Sequence, residues 1–147
     1  MIANRPVWMG FLLFVAGLAY PMPGARAETL DEFVRSEGLI HTAEFDRTIV
    51  EIRTDSRLPA DLYVTKRGAE SLGWHRGANL CPWLAGKMIG GDYFDNRENA
   101  LPAGGIYREA DLDDEDCGHR GAKRLVFDNG GDIWVTVDHY RSFQRVP

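Results

Sequence analysis

At Lys87 the pattern of the chain changes, and that change limits the folds open to it. Upstream, Phe45, Ile49 and Ile52 recur at helical spacing and share one face, until Leu58-Pro59 stops the pattern. Thr65 is placed as the N-cap of a second helix that ends at Gly73, and a third, shorter helix is expected over residues 79–85, closed by Gly86. Downstream, β-branched and aromatic runs alternate with Gly, Pro, Asn and Asp clusters. Strands are therefore expected over 88–93, 106–111, 125–128, 133–137 and 142–146. The tetrad Asp128-Asn129-Gly130-Gly131 is a hairpin signal between two of them. Helices first and antiparallel strands afterwards predict an α+β domain: N-terminal helices pack on one face of a C-terminal sheet, and the other face is free to carry a site.

The first segment stands apart from this pattern. Arg5 precedes a largely apolar stretch from Val7 to Tyr20, and Ala25-Arg26-Ala27 has the form of a cleavage site, so residues 1–27 read as a secretory signal peptide. The alternative is an uncleaved anchor, but the apolar run is shorter than the roughly 18 to 20 residues a spanning helix needs. Residues 28–42 are then a leader or extra N-terminal segment, either a short helix or a mobile stretch, and residues 43–147 form the domain. A mature chain of this kind is expected to be secreted or periplasmic, free of the membrane and monomeric. In an oxidising compartment Cys81 and Cys117 suit one disulfide. The rival is a metal site recruiting His75 and His119, although these four residues show no recognised ligand spacing.

The net charge of -5 argues against a broad basic face for nucleic acid and leaves recognition to a pocket. The acidic run Asp111, Asp113, Asp114, Glu115 and Asp116 lacks calcium-loop spacing and is expected to be a solvated loop. Three kinds of group in and near the strand half could act together: the carboxylate of Glu109, the imidazole of His139, and the cations Lys66, Arg120 and Arg124. A base, an acid and positive charge on phosphoryl oxygens are what RNA cleavage by its own 2'-hydroxyl requires. Taken singly, each residue also suits a solvated strand or strand end.

The segments "FDRTIVEIRTDSRLPADLYVTK", "LGW", "GKMIGGDYFDNRE", "LP", "YREAD", "GHRGAKR" and "DHYRSF" follow one another along the chain. In this order and spacing they resemble the barnase family of secreted bacterial guanyl-preferring ribonucleases, and the resemblance implies the microbial ribonuclease fold. It also implies roles. Glu109 in "YREAD" matches the general base and His139 in "DHY" the general acid. Arg120 and Arg124 match arginines that hold the phosphate, Lys66 in "VTK" matches the lysine that assists them, and Tyr140 an aromatic beside the acid. The stretch "GGDYFDNRE" matches the guanine-reading loop. Backbone groups around Phe94, Asp95, Asn96 and Arg97 would face the base, while the Glu98 carboxylate would accept from guanine N1 and N2.

Asp92 is expected to be structural, bonding nearby donors, and Gly90-Gly91 to form a bulge or turn. Asp95 departs from the family, where a small neutral residue is usual, and the acidic balance departs from its best-known basic members. The implied enzyme needs no metal or cofactor, takes RNA as substrate and works in mildly acidic to neutral solution, with a barstar-like inhibitor as a further partner. The reading from another class is an exported RNA- or protein-binding module of the same fold with little or no turnover.

Overall fold

The computed structural model describes residues 26–114, 117 and 120–147. All but the last two residues of the expected signal lie outside them, as do Glu115, Asp116 and His119.

Among the described residues, four helices precede the main strands. Helix α1 (Leu30–Ser36) begins at a capping box: Thr29 Oγ1 accepts from Glu32 N at 3.3 Å, and Glu32 Oε2 accepts from Thr29 N at 2.9 Å. Of the two readings of residues 28–42, the short helix is the one observed, and its Phe33 and Val34 are buried in the main core. Helix α2 (Thr42–Asp55) buries the expected Phe45, Ile49 and Ile52 together with Thr48, and ends where Ser56 turns left-handed. In α3 (Lys66–Glu70) the Thr65 hydroxyl caps the N-terminus, accepting from Gly68 N at 3.1 Å. Helix α4 (Cys81–Leu84) is shorter than expected. The Asn79 side chain bonds Cys81 N at 2.8 Å from outside the helix, and Ala85 leaves it in an extended conformation.

A six-stranded sheet follows in the order β1 (Tyr63–Val64), β2 (Met88–Phe94), β3 (Tyr107–Asp111), β4 (Arg124–Asp128), β5 (Ile133–Thr136) and β6 (Gln144–Arg145). Only the β1–β2 pair is parallel. The two residues of β1 are too few for an alternating pattern, and sequence reading missed the strand. The last strand is shorter than expected because Asp138 binds Ser142 through both its N–H and its hydroxyl, holding that residue in a turn.

Alternation along the strands sorts side chains between two faces. Leu125, Phe127, Ile133 and Val135 meet Phe33, Phe45, Ile49 and Ile52 on the helix side, while Tyr107, Val126 and Trp134 form a second cluster with Leu101 on the open side. Each such buried aliphatic or aromatic side chain stabilises the fold by about 1.5–3 kcal/mol relative to exposure. At Gly91 a β-bulge interrupts this alternation: Gly90 pairs with Ala110, but Asp92 pairs with the adjacent Glu109. The extra residue moves Asp92 onto the open face, which a regular strand would have denied it. Gly91 adopts φ +97, and a Cβ on Gly90 would lie 2.6 Å from Tyr63 Cδ1 and 2.9 Å from Ala110 Cβ, so both glycines are required where they stand.

A disulfide joins Cys81 to Cys117, with 5.3 Å between their Cα atoms. Both thiols are consumed, which removes the cysteine–histidine metal reading. In the chain-entropy treatment a loop of this length stabilises the fold by about 3–4 kcal/mol. Asn79 Nδ2 reinforces the link by donating to Cys117 O at 2.6 Å.

Candidate active site

Strand register brings the polar groups of the open face into two rows. Asp92, Glu109, Val126 and Trp134 are successive cross-strand neighbours, and so are Asp111, Arg124 and Thr136. In the first row the Glu109 carboxylate is held on both sides. Lys66 Nζ donates to Oε1 at 2.5 Å and Tyr140 OH donates to Oε2 at 2.6 Å. Lys66 is itself positioned by Asp92, whose Oδ2 accepts from its backbone N–H at 2.9 Å. Burial, reinforced by the bond to Glu109, pushes the Tyr140 phenol well above its usual range. It therefore stays protonated and remains a donor to the carboxylate.

The second row is an ion-pair cluster. Asp111, 2% exposed, accepts from Arg120 Nε and Nη2, both at 2.6 Å, a bidentate fork. Arg124, 4% exposed, approaches the same carboxylate with Nε at 3.0 Å, an ionic contact without a hydrogen bond. Its Nη1 donates to Gly121 O at 2.8 Å and to Lys123 O at 2.6 Å. Asp114 Oδ1 accepts from Gly121 N at 2.8 Å, and burial raises the pKa of this carboxyl against that bond. Asp111 thus serves two guanidinium groups, and the Asp114 carboxylate, with Oδ2 3.9 Å from Arg124 Nη1, is the second acid of the cluster.

This overturns the expectation of a solvated acidic loop for Asp111, Asp113 and Asp114. Asp111 lies on the guanidinium pair, Asp114 holds the Gly121 backbone, and Asp113 accepts from Lys123 Nζ at 2.7 Å. Glu115 and Asp116 are outside the described residues. Asp111 is also the site residue that sequence reading passed over. Its signal was present: two residues after Glu109 in a strand, it must point to the same face.

His139 sits in the turn after β5, exposed, its ring 5.0 Å from that of Tyr140. Both residues are left-handed, His139 at φ 60 and Tyr140 at φ 69, a conformation that costs non-glycine residues of order 1–3 kcal/mol. Asp138 holds the turn in place. Its Oδ1 accepts from Thr136 Oγ1 at 2.9 Å and from the backbone of Arg141 and Ser142, each at 3.0 Å, while Oδ2 accepts from Ser142 Oγ at 2.7 Å. The Ser142 hydroxyl and backbone lead in lowering the Asp138 pKa from 3.8 to about 2. A depressed carboxyl pKa contributes stability that is fully present above 3.8 and is lost as pH falls through about 2. The melting-temperature gap between wild type and Asp138→Asn is therefore expected to narrow as pH falls across that interval; a constant gap would contradict the assignment.

Beyond β2 the loop is closed by Asn96, whose Nδ2 donates to Leu101 O at 2.8 Å while its Oδ1 accepts from Leu101 N at 3.1 Å. Asn99 N donates to Asn96 O at 3.0 Å, which leaves Glu98 exposed at the tip. Asp95 Oδ2 accepts from Arg97 Nε at 2.6 Å. Phe94 stacks on Tyr140 with ring centroids 5.3 Å apart, joining this loop to the Glu109 cluster. A cavity of about 470 Å³ opens beside the loop, lined by Phe94, Asp95, Asn96, Asn99 and Tyr107 among others. Glu109 and His139 line neither this cavity nor a second one of about 330 Å³ on the helix side; they stand on the open sheet face.

The arrangement joins a carboxylate, a cation cluster and an aromatic-walled loop on one face. The family model for ribonuclease matches residues 50–147. A ribonuclease of Heyndrickxia coagulans is 46% identical over 93 residues, which cover 61% of this chain and 84% of that protein. A ribonuclease of Bacillus intermedius is equally identical over 93 residues, but these span only 56% of its length. The guanyl-specific ribonuclease St of Saccharopolyspora erythraea is 43% identical over 56 residues, covering 37% of this chain and 55% of that one. Since the matched stretch holds all six strands and every residue of the Glu109 and Asp111 clusters, the chain belongs to the ribonuclease family.

Proposed function

We propose that the protein is an exported endoribonuclease that cleaves single-stranded RNA after guanosine. The observation that carries this reading is the Glu109 carboxylate, fixed between Lys66 Nζ and Tyr140 OH beside the Asp111–arginine cluster. Glu109 takes the proton of the 2'-hydroxyl, the 2'-oxygen attacks phosphorus, and the bond from phosphorus to the 5'-oxygen breaks as His139 protonates the leaving oxygen. A 2',3'-cyclic phosphate results. In the second step His139 takes a proton from water, whose oxygen attacks phosphorus, and Glu109 returns a proton to the 2'-oxygen, leaving a 3'-phosphate. Lys66 and Arg120 lie nearest the surface and neutralise the phosphoryl oxygens, while Arg124 adds charge from beneath. No step calls for a metal.

Residues 94–98 form the base-reading loop in this proposal, with Glu98 selecting guanine through its two donors and Tyr140 stacking beside it. Support comes from the loop's closure by Asn96 and from the exposure of Glu98. Similarity to the guanyl-specific relative points the same way. Comparing GpU with ApU cleavage tests it. Glu98→Gln is expected to lower the guanine-over-adenine ratio of kcat/KM by about ten- to hundredfold, the scale of one bidentate base contact. Asp95→Ser is expected to shift that ratio by less than about fivefold, because the Asp95 carboxylate is directed at Arg97 in an exposed pair. An unchanged ratio in Glu98→Gln would remove the selectivity role.

Export fits the Cys81–Cys117 disulfide, which forms in oxidising compartments. In the proposal residues 1–27 are removed, the mature chain is a monomer away from the membrane, and a barstar-like inhibitor protects the producing cell. Mass analysis of the exported chain would show whether it starts after Ala27.

A further inference from the structure

The segment that carries Arg120 and Arg124 is bound, at its far end, to backbone that precedes the matched ribonuclease region. Asp113 accepts from Ile40 N at 3.2 Å and from His41 N at 3.1 Å. Lys123 Nζ donates to Asp113 Oδ2 at 2.7 Å and to Gly38 O at 2.6 Å. A turn four residues long therefore has two N–H groups and one carbonyl bound by a single Asp–Lys pair. The turn is anchored by the buried Phe33, Val34 and Leu39, so it is a fixed point rather than a trailing end. Lys123 in turn supplies the carbonyl that receives Arg124 Nη1, and Asp114, next to Asp113, holds Gly121, which supplies the other.

We propose that residues 38–41, gripped by Asp113 and Lys123, are a positioning strap for the Arg124 guanidinium. Asp113 and Lys123 are then positioning residues that act through Arg124. The inference rests on the phosphate role proposed for that arginine. Arg124 has no freedom to find its own place: it is buried, and two of its contacts are carbonyls of residues 121 and 123. A shift of those carbonyls moves the charge away from the phosphoryl oxygens, where small displacements weaken transition-state stabilisation more than ground-state binding. Asp113 itself sits at φ 58, a conformation that glycine and asparagine tolerate and alanine does not. Asp113→Gly is thus the variant that removes the grip without adding backbone strain.

The test is GpU cleavage by the full mature chain, at a temperature where each variant is folded by circular dichroism. Asp113→Gly is expected to lower kcat about tenfold with KM changed less than about twofold, and Asp113→Asn, which keeps an acceptor for the turn, to recover part of the loss. Lys123→Met should reproduce the Asp113→Gly loss. In an Arg124→Met background, Asp113→Gly should cost much less than it does alone, since the strap acts through Arg124. A kcat equal to wild type in both Asp113→Gly and Lys123→Met, with only the melting temperature lowered, would overturn the strap. So would full additivity with Arg124→Met. If Arg124→Met itself leaves kcat unchanged, the phosphate role fails first and independently.

Discussion

Replacing Glu109 by Gln, or His139 by Ala, is expected to lower kcat for RNA transesterification by about 10²–10⁴-fold, the range for removal of one positioned acid or base. Glutamine keeps the length of the side chain and an oxygen that can accept from Lys66 Nζ or Tyr140 OH, so the cluster around it has little reason to rearrange. What it loses is the ability to take a proton. Loss of the His139 imidazole removes the proposed proton donor from an exposed turn residue, so the fold should persist, with the melting temperature lowered modestly because alanine suits the left-handed φ of 60 less well than histidine. The double variant is expected to cost far less than the product of the two single losses, because in the proposed mechanism base and acid serve one transition state. Measured kcat values for the singles and the double check this. Independent, multiplicative losses would mean that the two groups do not work on the same step.

The second large effect is on stability and falls on Asp111. Its carboxylate is buried and is the ionic partner of Arg124, which is also buried, and of Arg120. Removing one member of such a cluster leaves uncompensated buried charge, at a cost of about 3–5 kcal/mol. Asp111→Asn is therefore expected to lose that much by denaturant unfolding, although it is nearly isosteric. It should also lose activity, since the guanidinium groups then turn toward whatever acceptors remain. A loss below about 1 kcal/mol, the scale of an exposed pair, would show that the cluster is solvated and contributes little.

Much of this organisation was legible in the chain. The spacing of Phe45, Ile49 and Ile52 marked the face of α2 that meets the sheet, and the Thr65 cap was placed correctly. Helices followed by antiparallel strands implied one covered and one open sheet face, and Glu109, Arg124 and Tyr140 do lie together on the open one. Other features depend on partners that no local pattern encodes. Gly90-Gly91 was compatible with either a turn or a bulge; only pairing with β3 shows that the extra residue moves Asp92 beside Glu109. Asp113 looked like one more charge in a solvated run because its backbone partner at Ile40 lies 73 residues away. The bonds of Asp138, which hold His139 and Tyr140 left-handed, likewise belong to a folded turn rather than to a residue type.

The central claim is metal-independent, guanosine-directed transesterification at the Glu109 face, and product analysis tests it most directly. Purified mature chain would be incubated with GpU in excess EDTA and the products separated over time. Guanosine 2',3'-cyclic phosphate should appear first and convert later to the 3'-phosphate, with ApU cut far more slowly and Glu109→Gln nearly inert on both. Intact GpU, cleavage without a cyclic intermediate, or an equal rate in Glu109→Gln would contradict it.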